Sequence, residues 1–202
     1  MESCSFTGHR PSRFVFQYNE SHAACVALKS KLYHTIRALY LQKGIWQYFT
    51  GCALGADLWA GEAVLSLKEQ YNMIKLICVV PFEGQDRNWS EPQRLRYSRL
   101  LANSNEVITL AKVARGGSAE QYYYARNRFL VDHADLLLAV YDKETHSRTG
   151  TGNTVRYAQG QGKPILFLNP NSLKLSYEAT KTNSSWNWGS IQISARGYGN
   201  IK

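Results

Sequence analysis

The chain has 202 residues, 44% hydrophobic and 19% charged, an ordinary globular balance that argues against long disorder and makes one domain the default. Cys4, Cys25, Cys52 and Cys78 stand far apart, with no Cys-x-x-Cys pair and no nearby Cys/His cluster, so neither a zinc site nor a disulfide framework is suggested and a reducing, cytoplasmic setting fits best. The net charge is +9, yet residues 145–202 hold seven Lys and Arg against Glu178 alone; with no clustered basic run, no stretch near ~20 apolar residues and no secretory pattern at the N-terminus, membrane spanning and secretion are not expected and nucleic-acid binding is weakened.

In chain order, short apolar runs at Ser3–Phe6, Trp46–Thr50, Ile74–Val80, Val107–Leu110, Leu136–Tyr141 and Ile165–Leu168 read as strands buried on both faces. Helical segments lie between them. The first has Cys25, Leu28, Leu32, Ile36 and Leu39 at spacings of three and four, closed by Gly44 where a C-cap belongs. Ala56–Tyr71, Glu91–Ala102, Ala119–Ala134 and Thr154–Gly160 follow. The alternation predicts an α/β fold, a Rossmann-like doubly wound, mainly parallel sheet flanked by helices, occupying 1–168. Residues 169–202 are expected to form a C-terminal extension, a loop with a hairpin around Ile191-Gln-Ile193, packed on the domain or on a partner subunit.

In such a sheet a ligand lies at the carboxyl ends of the strands, beside helix N-termini that attract anions. Three loops there carry Gly and Thr: Thr7-Gly8-His9-Arg10-Pro11, Thr50-Gly51-Cys52-Ala53-Leu54-Gly55-Ala56-Asp57, and Asp142 to Asn153 with Gly150-Thr151-Gly152. Gly51 and Gly55 suit positive φ and close approach to phosphate, with Asp57 opening the helix; a tight turn capped by Asp57 is the competing structural reading. The second loop is neither a Walker A loop nor a G-x-G-x-x-G fingerprint. His9 and Arg10 suit an anionic ligand, or a turn cap and an internal ion pair. Arg126 falls one turn before Leu130 on a face expected to be partly buried, where a cation needs either a phosphate or a carboxylate such as Asp135; Arg128 is expected to point elsewhere. The Tyr122 to Tyr124 run reads as packing before base stacking. Glu83, Gln85 and Trp89 follow the third strand, the first two suited to ribose hydroxyls and the third to a flat base.

Several of these stretches, in order from about Cys4 to Leu168, resemble the YpsA-like proteins of the SLOG superfamily: Ser5-Phe-Thr-Gly-His-Arg-Pro11, Thr50 to Ala60, Pro81-Phe-Glu-Gly-Gln85 with Trp89, Arg126-Asn127, Val131-Asp-His-Ala-Asp135 and Val140-Tyr-Asp142. The superfamily is Rossmann-like and includes the Lonely Guy phosphoribohydrolases and the DprA single-strand DNA-binding proteins. The resemblance implies binding of a nucleotide or NAD derivative, with Gly8, His9, Arg10, Gly51, Cys52, Gly55, Asp57, Glu83, Gln85, Trp89, Arg126, Asn127, Gly150, Thr151, Gly152 and Thr154 as ligand residues. Close relatives carry a second glycine where this chain has Cys52. The hydrolase branch places a catalytic Glu after a Pro-Gly-Gly-x-Gly-Thr motif, and its position here falls on Thr154 or Arg156 while Arg126 matches the assisting Arg.

The expectation is therefore a cytoplasmic binder of an ADP-ribose, NAD or cyclic ADP-ribose type ligand, a sensor or a sequestering protein, without hydrolysis. One alternative is a nucleotide N-glycosidase using Glu83 or Asp142. Another is single-stranded nucleic-acid binding through Trp186, Trp188 and the basic last quarter. No metal ligand cluster is visible, magnesium on a diphosphate stays open as an auxiliary, and a homo-oligomer is expected.

Overall fold

The computed structural model describes residues 1–113, 116–143 and 149–179. The strands are β1 (Ser3–Gly8), β2 (Gln47–Thr50), β3 (Lys75–Val80), β4 (Glu106–Thr109), β5 (Leu136–Val140), β6 (Ile165–Leu168) and β7 (Leu175–Glu178). Between them run α1 (Ala23–Lys43), α2 (Ala56–Lys68), α3 (Glu91–Asn103), the short α4 (Leu110–Val113), α5 (Ala119–Asp132) and α6 (Gly150–Gly160). The sheet order is β4-β3-β2-β1-β5-β6-β7, parallel throughout except for β7, which runs antiparallel to β6. This is the expected Rossmann-like α/β sheet. The chain adds strands outward from β1 on one side, then crosses back and adds them on the other. The order therefore reverses between β1 and β5, where Cys4 to Gly8 pair with Leu136 to Val140.

Strand periodicity of two sorts the side chains into separate cores. Leu76, Cys78 and Val80 of β3, Leu136, Leu138 and Val140 of β5, and Leu166 and Leu168 of β6 share one buried cluster with α1 and α2. Their alternates face the other way: Ile77 and Val79 pack with Leu110, Leu130 and Ala134, and Leu137, Ala139, Ile165 and Phe167 pack with Val155 and Ala158 of α6. In β1 one face is apolar, with Cys4 and Phe6, while the other is Ser3, Ser5 and Thr7, all buried. Those small polar residues point toward the side of α5 and α6. Asp135 accepts hydrogen bonds there from the N–H groups of Glu2 and Ser3 and from Ser3 Oγ.

Cys25, Leu28, Leu32, Ile36 and Leu39 are all buried in α1, and Gly44 takes φ 69° as its left-handed cap. Several boundaries shift by one to three residues, and two differences from expectation are larger. The last helix begins at Gly150, not Thr154, because Thr149 caps it: its Oγ1 accepts from Gly152 N, so the Gly-Thr-Gly stretch read as loop is the first helical turn. After β6 the chain turns at Asn169, whose Oδ1 accepts from Asn171 N and Ser172 N, and returns as β7. The sheet's last strand thus lies within the stretch expected to be extension, and the observed hairpin is β6 with β7. Trp186, Trp188 and Ile191-Gln-Ile193 lie outside the described residues.

Candidate ligand cleft at the switch point

A cleft of about 390 Å³ opens where the strand order reverses, the place where open α/β sheets bind ligands. The turn after β1 contributes His9, Arg10, Ser12 and Arg13; α2 contributes Asp57; α5 contributes Tyr123, Arg126 and Asn127; and the start of α6 contributes Thr149, Gly150 and Thr151. Thr151 is fixed by donating its hydroxyl to Gly8 O at 2.8 Å.

Arg126 is the centre of this construction. It is 4% exposed, its Nη1 donates to the Gly51 carbonyl, its Nε donates to Asn127 Oδ1 at 2.9 Å, and Asp57 lies 3.8 Å away. Burial lowers the Arg126 pKa while Asp57 raises it and Arg10 lowers it. Burial likewise raises the Asp57 pKa, against the pull of Arg126 and then Arg10. The partner suggested from sequence, Asp135, is corrected: it is held at the other end of β1 by Glu2 and Ser3, and Asp57 takes its place. Arg126 Nη2 makes no hydrogen bond to any described residue, and Arg126 lines the cleft, so this nitrogen is the donor of the buried guanidinium that remains for a ligand.

Arg10 is exposed, and its side chain makes no hydrogen bond or ion pair with a described residue. His9 is 2% exposed, with Nε2 3.4 Å from Asp142 Oδ1. Burial lowers its pKa from the ordinary 6.5, more than Asp142 raises it. Gly150 and Thr151 stand at the first positions of α6, where backbone N–H groups are unused by the helix and the dipole is positive. Three arginines, Arg10, Arg13 and Arg126, and a helix N-terminus line one hollow, opposed there by Asp57. That arrangement suits a phosphate.

The other expected residues are placed differently. Gly8 packs against Ala56 and Val140. Gly51, Cys52 and Gly55 do not line the cleft; they shape the loop that seats Arg126. A Cβ on Gly51 would overlap Arg126 Nη1 and approach Asp57 Oδ2 to 2.8 Å. Gly55 takes φ 94°, and a Cβ there would meet His9 O at 2.5 Å; Cys52, fully buried, carries φ 55°. The positive φ expected at Gly51 is thus found at Cys52. Gly152 and Thr154 turn inward to α6: Thr154 Oγ1 donates to Gly150 O at 2.9 Å. Glu83 is exposed and Gln85 buried, and neither lines the cleft. Trp89 packs edge-on against Tyr97 and lines a neighbouring concavity. Arg128 sits over Tyr157 and Tyr124, away from the cleft. Tyr123 does both jobs open to it, packing on Phe82 and lining the cleft.

Sequence reading missed Thr7, Ser12, Arg13, Tyr123 and Thr149 as lining residues. Thr149 carried a usable signal, a threonine immediately before a glycine-rich helix start; Arg13 follows Arg10 at three residues across the 3-10 turn Pro11–Arg13. Among the described residues no group of three or more His, Cys, Asp and Glu is gathered as a metal would require, and no helix is long and apolar enough to cross a membrane.

Comparison with known proteins agrees with this fold. A model described as the YspA SLOG family matches residues 4–173. The UPF0398 protein YpsA of Bacillus subtilis is 28% identical over 181 residues, covering 88% of this chain and 98% of that protein. A UPF0398 protein of Bacillus licheniformis is 32% identical, covering 84% of this chain and 82% of its own length. The SPbeta prophage-derived protein YoqJ of Bacillus subtilis is 33% identical, covering 65% and 80%. Among solved structures, DNA processing protein A of Streptococcus pneumoniae superposes with a TM-score of 0.57 at 16% identity, over 84% of this chain and 50% of that one. The Helicobacter pylori DNA processing protein A, described in terms of its single-stranded DNA binding mode, gives 0.52 at 17% identity, over 83% and 65%. This chain thus spans half to two thirds of those proteins, and the likeness is one of fold. On the extent of the family match, the chain belongs to the YpsA family of SLOG proteins.

Proposed function

We propose that the switch-point cleft binds the phosphate and ribose portion of a nucleotide-derived ligand of the ADP-ribose, NAD or cyclic ADP-ribose type, and that the protein acts by binding it, as a sensor or a sequestering protein. The observation that carries this reading is Arg126, a buried guanidinium that lines the cleft, with Nη1 committed to Gly51, Nε to Asn127, and Nη2 without a hydrogen bond to a described residue. Arg10 and the N-terminus of α6 add positive potential on the same hollow. Hydrolysis in the Lonely Guy manner is not supported. The resemblance puts the glutamate's position on Thr154 or Arg156, neither a carboxylate, and Asp57, the carboxylate lining the cleft, is engaged by Arg126.

The test is thermal-shift and calorimetric titration with AMP, ADP-ribose, NAD and cyclic ADP-ribose isomers, with the ligand recovered afterwards. Saturable binding of one of them, an unchanged ligand, and a loss of roughly tenfold or more in affinity in Arg10→Ala are expected. Conversion of the ligand would make the protein an enzyme; indifference to every nucleotide would remove the reading.

A second reading, single-stranded DNA binding, is favoured by the likeness of fold to the two DNA processing proteins and by the net charge of +9. It requires oligonucleotide affinity that falls steeply with salt. Lack of binding at low salt would exclude it.

A further inference from the structure

Beside the switch-point cleft, sharing Arg10 and Ser12 with it, lies a second concavity of about 410 Å³. Its walls have another chemistry. Tyr18 and Trp89 bring rings, Leu54 and Pro11 apolar surface, and Asn88 and Gln93 side-chain amides.

The segment carrying Tyr18 is anchored from beneath. Phe14 and Phe16 are buried and stacked with ring centres 5.0 Å apart, and both rest on Trp59, at 5.4 and 6.0 Å. Gln17 takes φ 47°, a left-handed conformation that side chains other than glycine adopt at a cost, and Tyr18 emerges from that turn 60% exposed. Its side chain makes no hydrogen bond or ring contact with a described residue. Across the hollow, Trp89 is steadied by its edge contact with Tyr97 at 5.4 Å. Gln93 spends its Oε1 on Ser90 N, which leaves its NH₂ as a donor, while the Asn88 side chain has no hydrogen bond to a described residue and offers both donor and acceptor. One held ring and one uncovered ring on an anchored segment, with amide donors and an acceptor beside them, suit a flat heterocycle with a hydrogen-bonding edge.

We infer that the two concavities hold one two-ended ligand, its phosphates in the switch-point cleft and its base against Tyr18 and Trp89, with Arg10 at the junction. This rests on the phosphate reading above and narrows the ligand to a nucleotide gripped at both ends, as distinct from a sugar phosphate or a free anion. Because the rim is fixed by Phe14 and Phe16, the base lobe exists before the ligand arrives.

Calorimetry of the full chain with ADP and with pyrophosphate separates the two ends. Tyr18→Ala, a change at an exposed side chain, is expected to weaken ADP about tenfold and to leave pyrophosphate within about twofold, with an unaltered thermal transition. Trp89→Phe, which retains a ring against Tyr97, is expected to weaken ADP less than Tyr18→Ala does. ADP affinity untouched by Tyr18→Ala, or ADP and pyrophosphate weakened alike, overturns the base lobe while the phosphate cleft stands. Wild-type protein that binds neither ligand sinks the cleft itself. If Tyr18→Ala weakens a short oligothymidylate and spares ADP, the lobe belongs to a polynucleotide and the single-ligand inference is wrong.

Discussion

Arg126 lies in a slot that Gly51 makes. The guanidinium sits against the Gly51 carbonyl and over the position a Cβ would take, so the absence of a methyl group determines where a charge sits. Gly51→Ala removes no charge and no cleft-lining atom. It is nevertheless expected to displace Arg126, to cost about 1–3 kcal/mol in urea unfolding through overpacking, and to abolish nucleotide binding in calorimetry. Unchanged affinity in this variant would show that the position of Arg126 does not matter to the ligand. Arg126→Ala is a poorer probe, because it strands Asp57 as a buried carboxylate without its cation, whereas Arg10 is exposed and can be removed with little effect on the fold.

The helices α1, α2 and α3, which share one core, are tied together by Glu20, at the end of the segment leading into α1. It accepts from Lys29 Nζ of α1 at 2.9 Å, Trp59 Nε1 of α2 at 2.9 Å and Arg96 Nη1 of α3 at 2.8 Å, and Arg96 also clasps Glu62 with two hydrogen bonds. Burial alone would raise the Glu20 pKa, but the hydrogen bonds from Arg96, Trp59 and Lys29 hold it at about 2, below the ordinary 4.5. The unfolded chain therefore takes up this proton first as pH falls. The stabilisation is complete above pH 4.5 and drains away between about 4.5 and 2. Glu20→Gln is expected to lower stability at pH 7 by about 1–3 kcal/mol and to flatten the loss of stability over that acid range. Parallel unfolding curves at pH 7 and pH 4 would check both. At this scale the sequence was informative through apolar runs and a regular helical period, which announced β1 to β6 and α1. The expected burial of both faces fails for β4, an edge strand whose Val107 is 43% exposed. β7, Leu-Ser-Tyr-Glu at the sheet edge, has one apolar contact face and no such run, and α4 is a single turn. Within the cleft, His9 and Arg10 were legible beside a strand end and Arg126 as a cation on a buried helical face, but the pairing of Arg126 with Asp57 was not. The two are brought together only by the β2–α2 turn, and nothing local in Val131 to Asp135 says that Asp135 is already claimed by β1.

For the molecule as a whole, the seven-stranded sheet closes at Glu178, while Lys181, Arg196 and Lys202 follow it with no acidic residue among them. A chain ending at Ala179 therefore keeps every described strand and falls from a net charge of +9 to about +6. It is expected to retain nucleotide affinity. If the full chain binds oligothymidylate, that binding and its salt slope are expected to shrink in the shortened form. Retained oligonucleotide binding would place the contact on the sheet domain instead.

The walls of the cleft come from residues 7–13, 57, 123–127 and 149–151, which meet only once strands from both halves of the sheet have paired. No fragment or partly unfolded form can present them together. Ligand at a hundred times its dissociation constant should accordingly protect the entire domain by about 2.7 kcal/mol, slowing proteolysis as much at α3, which lines no part of the cleft, as at α6, which does. A bound nucleotide would then act as a folding cofactor for the molecule, and the abundance of the protein in a cell would follow the concentration of its ligand.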